Sequence, residues 1–250
     1  MQENEYKRYE ELGNWDFSKI KYTTEQESSW HFYDKIAEYA KPDSLILDLG
    51  TGGGEKILRN MPNCAMIIAT DFSPNMIKTA NENKKMYTNK NIKFVVMNNL
   101  NMTFPKDLFD IVTARHTIID AKQIYNCLNS TGVLIVKGVD KYDCWELKEI
   151  FGRGQAFDNQ IAISKRDYED IKNAGFSEID LQEIIQYEYF ETENDLMALL
   201  LKTPIIEDFS NFNYSNRIIE KDLLNKYIKS HTTQKGIELK RVLYGIVAKK

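Results

Sequence analysis

The 250-residue sequence predicts an α/β fold built on a doubly wound, mostly parallel seven-stranded sheet with helical cover insertions. Three observations predict it. Short, almost continuously apolar runs recur along the chain, the composition of strands buried on both faces. Stretches with helical apolar spacing separate them, giving the strand–helix rhythm of right-handed crossovers. The first such run, Leu45–Leu49, opens directly into the glycine turn Gly50-Thr51-Gly52-Gly53-Gly54.

The elements follow in order. Trp30, Phe32, Tyr33, Ile36, Ala37 and Tyr39 recur at near-helical spacing and predict a helix over 25–40, ended by Pro42. Leu45–Leu49 is a strand, and a short helix through Lys56, Ile57 and Leu58 leaves the glycine turn. Ala65–Thr70 is the second strand. Ser73 then caps a helix with Pro74 at its first position, running toward Met86. Ile92–Met97 and Leu108–Ala114 are the third and fourth strands, a helix covers about 119–128, and Gly132–Val136 is the fifth strand. Beyond it the sequence predicts a helix at 164–174, a strand over 179–189, two helices within 191–235 and a final alternating strand, Leu239–Ala248.

Composition narrows the class. Lys plus Arg total 33 and Asp plus Glu 37, a net charge of −4, and 42% of residues are hydrophobic, which excludes a disordered chain. The three cysteines form no CxxC pair, favouring a reducing compartment. The three histidines lie at no metal-ligand spacing, so no metal is expected. The polar N-terminal residues and the lack of a long apolar run point to a cytoplasmic protein with no membrane partner. The mildly acidic balance, with lysines scattered, argues against nucleic acid as a partner.

The glycine turn carries the functional information. A strand, a glycine turn and a helix N-terminus aim backbone N–H groups at a ligand. A dinucleotide site would need a third glycine where Glu55 stands, and no GxxxxGK phosphate loop is present. Asp48, inside the strand end, suits a ligand with a cationic head such as an amino group.

LILDLGTGGGE, residues 45–55, resembles the first motif of the class I S-adenosylmethionine-dependent methyltransferases. The segment from Asp71 through Ser73, Met76 and Ala80 resembles the D-x-S-x-x-M pattern of the subgroup related to ubiquinone/menaquinone-biosynthesis methyltransferases, as does Leu108–Val112. Gly132–Ile135 is similar to its fifth-strand entry, with Ser130-Thr131 in place of the usual proline and glycine. The resemblance covers about residues 30–137. Residues 199–209 are similar to an element of uncharacterised bacterial members.

The resemblance implies a Rossmann-like methyltransferase fold and S-adenosylmethionine as cofactor. It places Asp48, Gly50, Thr51, Gly52, Asp71, Phe72, Met76, Asn98, Asn99, Leu100 and Arg115 at that cofactor. Asp71 would take the ribose hydroxyls. Asn98 stands where the subgroup often has an adenine-binding Asp, and its amide oxygen can accept the same hydrogen bond.

The candidate catalytic residues are Arg115 and His116, which follow the fourth strand at the carboxyl end of the sheet. His116 could serve as a general base, its ordinary pKa being close to working pH, or could orient the substrate. Arg115 could bind a carboxylate or phosphate, or pair with a nearby acid. The sulfonium is already a good electrophile, so in-line transfer of its methyl group to an acceptor needs mainly alignment, worth roughly 7–11 kcal/mol, and no catalytic triad is required.

The expected organisation is a single domain over 1–250: an N-terminal helical cover at 1–41, a cofactor-binding core at 42–138, cover insertions at 139–163 and 191–235, and completion of the sheet by 164–190 and 236–250. The aromatic residues Trp15, Phe17, Trp30, Trp145, Phe151, Phe157, Tyr187, Tyr189, Phe209, Phe212 and Tyr214 would line a pocket for a small-molecule substrate or simply pack as core. The alternatives are an RNA or protein methyltransferase, and a non-catalytic cofactor-binding protein.

Overall fold

The computed structural model describes residues 19–88, 91–207, 209 and 214–250. Strand β1 (Tyr22–Gln26) and helix α1 (Phe32–Tyr39) come first. There follow β2 (Leu45–Leu49), α2 (Glu55–Asn60), β3 (Met66–Asp71), α3 (Pro74–Lys84), β4 (Ile92–Val96), β5 (Phe109–Arg115), α4 (Ala121–Cys127) and β6 (Leu128–Val139). Helices α5 (Trp145–Phe151) and α6 (Ile163–Ala174) lead to β7 (Glu178–Phe190). Helices α7 (Glu193–Lys202) and α8 (Tyr214–His231), the two-residue β8 (Thr232–Thr233) and β9 (Gly236–Lys249) complete the order.

The strands form one sheet in the order β1-β7-β9-β6-β5-β2-β3-β4, with β8 paired to β9. From β2 the chain winds outward through β3 and β4, then returns to place β5 and β6 on the other side of β2. The β2/β5 boundary is therefore the switch point, where open α/β sheets bind ligands at the carboxyl ends of their strands.

The doubly wound α/β class holds, and its detail is corrected. Nine strands replace the expected seven among the described residues. Four pairings are parallel (β2–β3, β2–β5, β3–β4, β5–β6) and four antiparallel (β1–β7, β6–β9, β7–β9, β8–β9). The helix expected over 25–40 begins only at Phe32. Before it, Tyr22-Thr23-Thr24, residues that favour strands, pair with β7, and the Tyr22 ring stacks on Phe190 at 5.2 Å. A turn separates the two elements: the Gln26 side-chain amide donates to the carbonyls of Ser28 (2.7 Å) and Trp30 (2.9 Å). Leu128, expected at a helix end, instead starts β6.

The local signals in the first half act as expected. The Ser73 hydroxyl accepts from Met76 N at 3.3 Å, with Pro74 opening α3. Along β2, Ile46 packs on one face of the sheet with Ile67, Ala69, Ile111 and Ile135, under Trp30, Phe32 and Ile36. Leu47 and Leu49 pack on the other face with Val112, Leu134 and Val136, under Ile124 of α4 and Ile171 of α6. Each such buried aliphatic side chain contributes roughly 1.5–3 kcal/mol.

A third cluster joins Leu147 and Phe151 of α5, Leu196 and Leu200 of α7 and Tyr227 of α8 to Phe190 and Leu239. It lies beyond the carboxyl ends of the parallel strands, because Asp140 and Cys144, just past β6, bond to Val242 and Lys240. Of the cover aromatics, Trp145 stacks on Phe157 and Phe151 meets Phe209 edge-on, so these four pack as two pairs. Trp15, Phe17 and Phe212, and the side chain of Tyr214, lie outside the described residues.

Candidate functional site

The glycine turn takes its shape from three left-handed residues. Gly50, Gly52 and Gly54 have φ of 68°, 60° and 75°, a region that costs other residues about 1–2 kcal/mol. Gly50 is also needed for space: a Cβ there would lie 2.6 Å from Cβ of Thr117, which follows β5.

Two carboxylates flank the turn. Asp48 is buried in β2 and accepts from the Thr113 hydroxyl at 2.6 Å. Burial raises its pKa, opposed by Thr113, Thr51 and Arg115. Asp71, at the end of β3, accepts from Gly52 N at 2.9 Å and from Ser73 N at 3.0 Å, one bond to each oxygen. Burial raises its pKa, opposed by the backbone N–H groups of Ser73, Gly52 and Phe72. A carboxylate has about four acceptor positions, so the group can still take a further donor.

The loop after β4 meets the loop after β5. The Asn99 side-chain amide donates to the Thr117 hydroxyl at 3.0 Å and to the Ile118 carbonyl at 3.3 Å. Gly50, Thr117 and Asn99 therefore converge. Asn98 is exposed, and its amide oxygen accepts from Leu100 N at 2.9 Å, which leaves one acceptor position of the two. Leu100 is exposed, as is Ile118. Met76 does not line the open crevice: at 1% exposure it packs in the core beneath it.

Arg115 ends β5, and His116 follows with a left-handed φ of 54°, its N–H donating to the Lys137 carbonyl at 2.8 Å. The ordinary histidine pKa expected from sequence is corrected here. Desolvation by the crevice walls, then the charges of Arg115, Lys137 and Arg241, lower it well below 6.5. The ring's solvent exposure limits the first cause, and the cations remain. His116 is thus neutral at neutral pH.

Several residues here escaped the sequence. Lys137 is the register partner of Arg115 in β6, one residue past the expected strand end, and that position was its available signal. Burial, then Arg115 and Arg241, with a smaller push from Lys56 and an opposing pull from Glu188, lowers its pKa to about 8. Tyr33 of α1 lies against Arg115. Arg241 is clamped by Asp143 (2.8 and 3.0 Å) and Glu188 (3.1 Å). No local pattern announces Thr117, Tyr33 or Arg241. A separate depression of about 300 Å³, lined by Lys35, Tyr39, Glu178 and Asp180, sits away from all of these groups.

The crevice fits an adenosyl amino-acid ligand. Among the described residues, four buried side-chain polar atoms lack a hydrogen-bond partner, and two of them, Thr51 Oγ1 and Asn99 Oδ1, belong to this turn and its facing loop. The Thr51 hydroxyl lies close enough to Asp48 to favour its charged form, yet makes no well-formed hydrogen bond. Orphaned acceptors and donors of this kind are costly unless a ligand meets them.

Comparison with known proteins agrees. Residues 46–132 match the family model described as a methyltransferase domain. Ribosomal protein L11 methyltransferases of Listeria innocua and Alkaliphilus oremlandii are each 28% identical, over 109 and 128 residues, 42% and 48% of this chain. The matches span 35% and 41% of the length of those relatives, well under half. Among solved structures, the YcgJ protein of Bacillus subtilis superposes with a TM-score of 0.60 at 16% identity, over 86% of this chain and 95% of that one. A functionally unknown protein of Deinococcus radiodurans gives 0.57 at 14% identity, over 99% of each chain. A putative methyltransferase of Bacillus halodurans gives 0.54 at 19% identity, over 87% and 95%.

These findings define the class: the fold is the Rossmann-like methyltransferase fold, and residues 46–132 match a methyltransferase domain. The matched segment is similar to the domain of the class I S-adenosylmethionine-dependent methyltransferases. Among the described residues no helix is long and apolar enough to cross a membrane.

Proposed function

We propose that this protein transfers a methyl group from S-adenosylmethionine to a small organic acceptor, as a cytoplasmic enzyme close to the ubiquinone/menaquinone-biosynthesis subgroup. One observation carries the reading: the unpartnered oxygens of Thr51, in the glycine turn, and of Asn99, in the loop facing it, sit where Asp48 and Asp71 flank that turn at the sheet's switch point. The cofactor, when bound, supplies an electrophilic methyl group on a sulfonium.

The chain's own residues would do the rest. Asp48 would receive the amino group and Asp71 the ribose hydroxyls, with Gly50, Thr51 and Gly52 giving close backbone approach. Asn98 would use its remaining acceptor position toward the adenine, and Asn99 its free oxygen. Phe72 and the exposed Leu100 would supply apolar surface, and Met76 would support the turn from the core. Arg115 and His116 would face the acceptor. Neutral His116 can accept a proton without first losing one, and its depressed pKa makes it a mild base. The α5, α7 and α8 cluster would close the site as a cover over 139–163 and 191–235, within one domain.

The test is calorimetry with S-adenosylmethionine, S-adenosylhomocysteine and NAD on wild type and Asp71→Ala. Both sulfur ligands are expected to bind the wild type and to weaken in the variant. NAD binding with no response to either would overturn the reading.

A second reading, a protein acceptor, is favoured by the relatives named for ribosomal protein L11. Transfer of labelled methyl from the cofactor into a ribosomal protein fraction, with none into the small-molecule fraction, would establish it instead.

A further inference from the structure

Among the described residues, the acceptor side of the crevice carries cations that form no ion pair. Arg115 and Lys137 are register partners at the carboxyl ends of β5 and β6, so their side chains leave the same face of the sheet. That face also holds Thr113, two residues before Arg115, and through it Asp48. Neither Arg115 nor Lys137 forms an ion pair among the described residues, nor does Lys56. The nearby acids are engaged elsewhere: Asp143 and Glu188 by Arg241, Asp48 by Thr113, Asp71 by the N–H groups of Gly52 and Ser73.

An independent observation lies on the other side of Lys137. Its register partner in β9 is Gly245, and Trp30 fills the space a side chain there would take. A Gly245 Cβ would lie 2.4 Å from Trp30 Cε2, the carbon bonded to the indole nitrogen. That nitrogen is buried and has no acceptor, in a residue only 3% exposed. The indole N–H can only donate.

We propose that the acceptor bears an oxyanion, a carboxylate or phosphate, held by Arg115 and Lys137 with the Trp30 indole N–H as a further donor. The inference rests on the methyltransferase reading of the site and adds the acceptor's chemical class. A guanidinium binds such a group through two parallel hydrogen bonds, and the ammonium adds a point charge. Burial, then the charges of Arg115 and Arg241, lower the pKa of Lys137, and a bound anion would oppose the part due to those charges. The cofactor's sulfonium brings one more positive charge to this end of the sheet, which an anionic acceptor offsets.

The cofactor's own carboxylate is a second source of the same chemistry, and the experiment separates the two. The full-length protein is first saturated with S-adenosylhomocysteine, followed by calorimetry, and is then titrated with inorganic phosphate and with acetate. Wild type, Lys137→Gln, Arg115→Gln and Trp30→Phe are compared. The expected result is anion binding to the saturated wild type, weakened about tenfold or more in Lys137→Gln and Arg115→Gln and less in Trp30→Phe. Retained S-adenosylhomocysteine affinity in Lys137→Gln reports that this variant is folded. Failure of wild type to bind S-adenosylhomocysteine overturns the methyltransferase reading and this inference with it. Binding of S-adenosylhomocysteine with no anion binding, anion affinity unchanged in the variants, or anion displaced by S-adenosylhomocysteine overturns this inference alone.

Discussion

Thr117 occupies the space that a side chain at Gly50 would need, its Cβ 2.6 Å from where the added carbon would stand. The same threonine holds Asn99 through a 3.0 Å hydrogen bond, so one residue locks the glycine turn to both facing loops. Gly50→Ala therefore meets two penalties: about 1–2 kcal/mol for a left-handed alanine and about 1–3 kcal/mol for overpacking. Urea unfolding should show a loss of about 2–5 kcal/mol. Measured against Thr117→Gly alone, adding Thr117→Gly should recover the packing part and leave the backbone part, because it removes Cβ, Oγ1 and Cγ2 from that space without changing φ at residue 50.

His116 combines a left-handed backbone with a neutral ring, and a variant can separate the two. Asparagine tolerates that backbone region and cannot act as a base. If His116 takes a proton from the acceptor, His116→Asn should lose about 10²–10⁴-fold in turnover with an unfolding midpoint near wild type. The base must be neutral to work, so activity is lost as pH falls through its pKa. Since that pKa lies well below 6.5, the wild-type rate should stay flat as pH drops through 6.5. An acid limb centred at or above 6.5 would assign the titration to another group.

The cofactor half of the molecule was legible because its signals are local. A strand, a glycine turn, an acid at the next strand end and a Ser-Pro cap lie within residues 45–76, and each acts through neighbours in sequence. The acceptor side depends on register between distant segments. Lys137 gains meaning only beside Arg115, and Trp30 only above Gly245. The expected helix over 25–40 runs onto the last two residues of β1 because Trp30, Phe32 and Ile36 extend a helical pattern backward, while the pairing of β1 with β7 joins segments distant in sequence. The pKa of His116 was misjudged for the same reason: its cations come from β5, β6 and β9.

Arg241 is the sole bridge between two buried carboxylates, Asp143 and Glu188, among the described residues. Asp143 also accepts from Val242 N at 3.0 Å, which ties the segment after β6 to β9. Arg241→Met would leave both acids buried without their cation, a loss of about 3–5 kcal/mol. Denaturant unfolding checks it, with the midpoint falling and the slope unchanged. Glu188→Gln, which keeps one carboxylate paired, should cost less.

Lys137 supplies a pH test of the cation cluster with a definite sign. Its pKa is about 8 in the folded protein against an ordinary 10.5, set by burial, Arg115 and Arg241, with Lys56 adding to the effect and Glu188 opposing it. Between these values the unfolded chain binds a proton that the native protein has released, so wild-type stability rises with pH across that window. At pH 7 both states carry the charge, and the native one bears it in a cationic, partly buried place. Lys137→Met should therefore be more stable than wild type at pH 7 by on the order of 1–3 kcal/mol, a margin that closes as pH passes from 8 to 10.5. Urea unfolding of both proteins at pH 7, 9 and 10.5 measures the margin, and a pH-independent difference would refute the assignment. Phosphate should narrow the margin at pH 7 by stabilising only the wild type, since an anion bound at Lys137 offsets the repulsion that lowers its pKa.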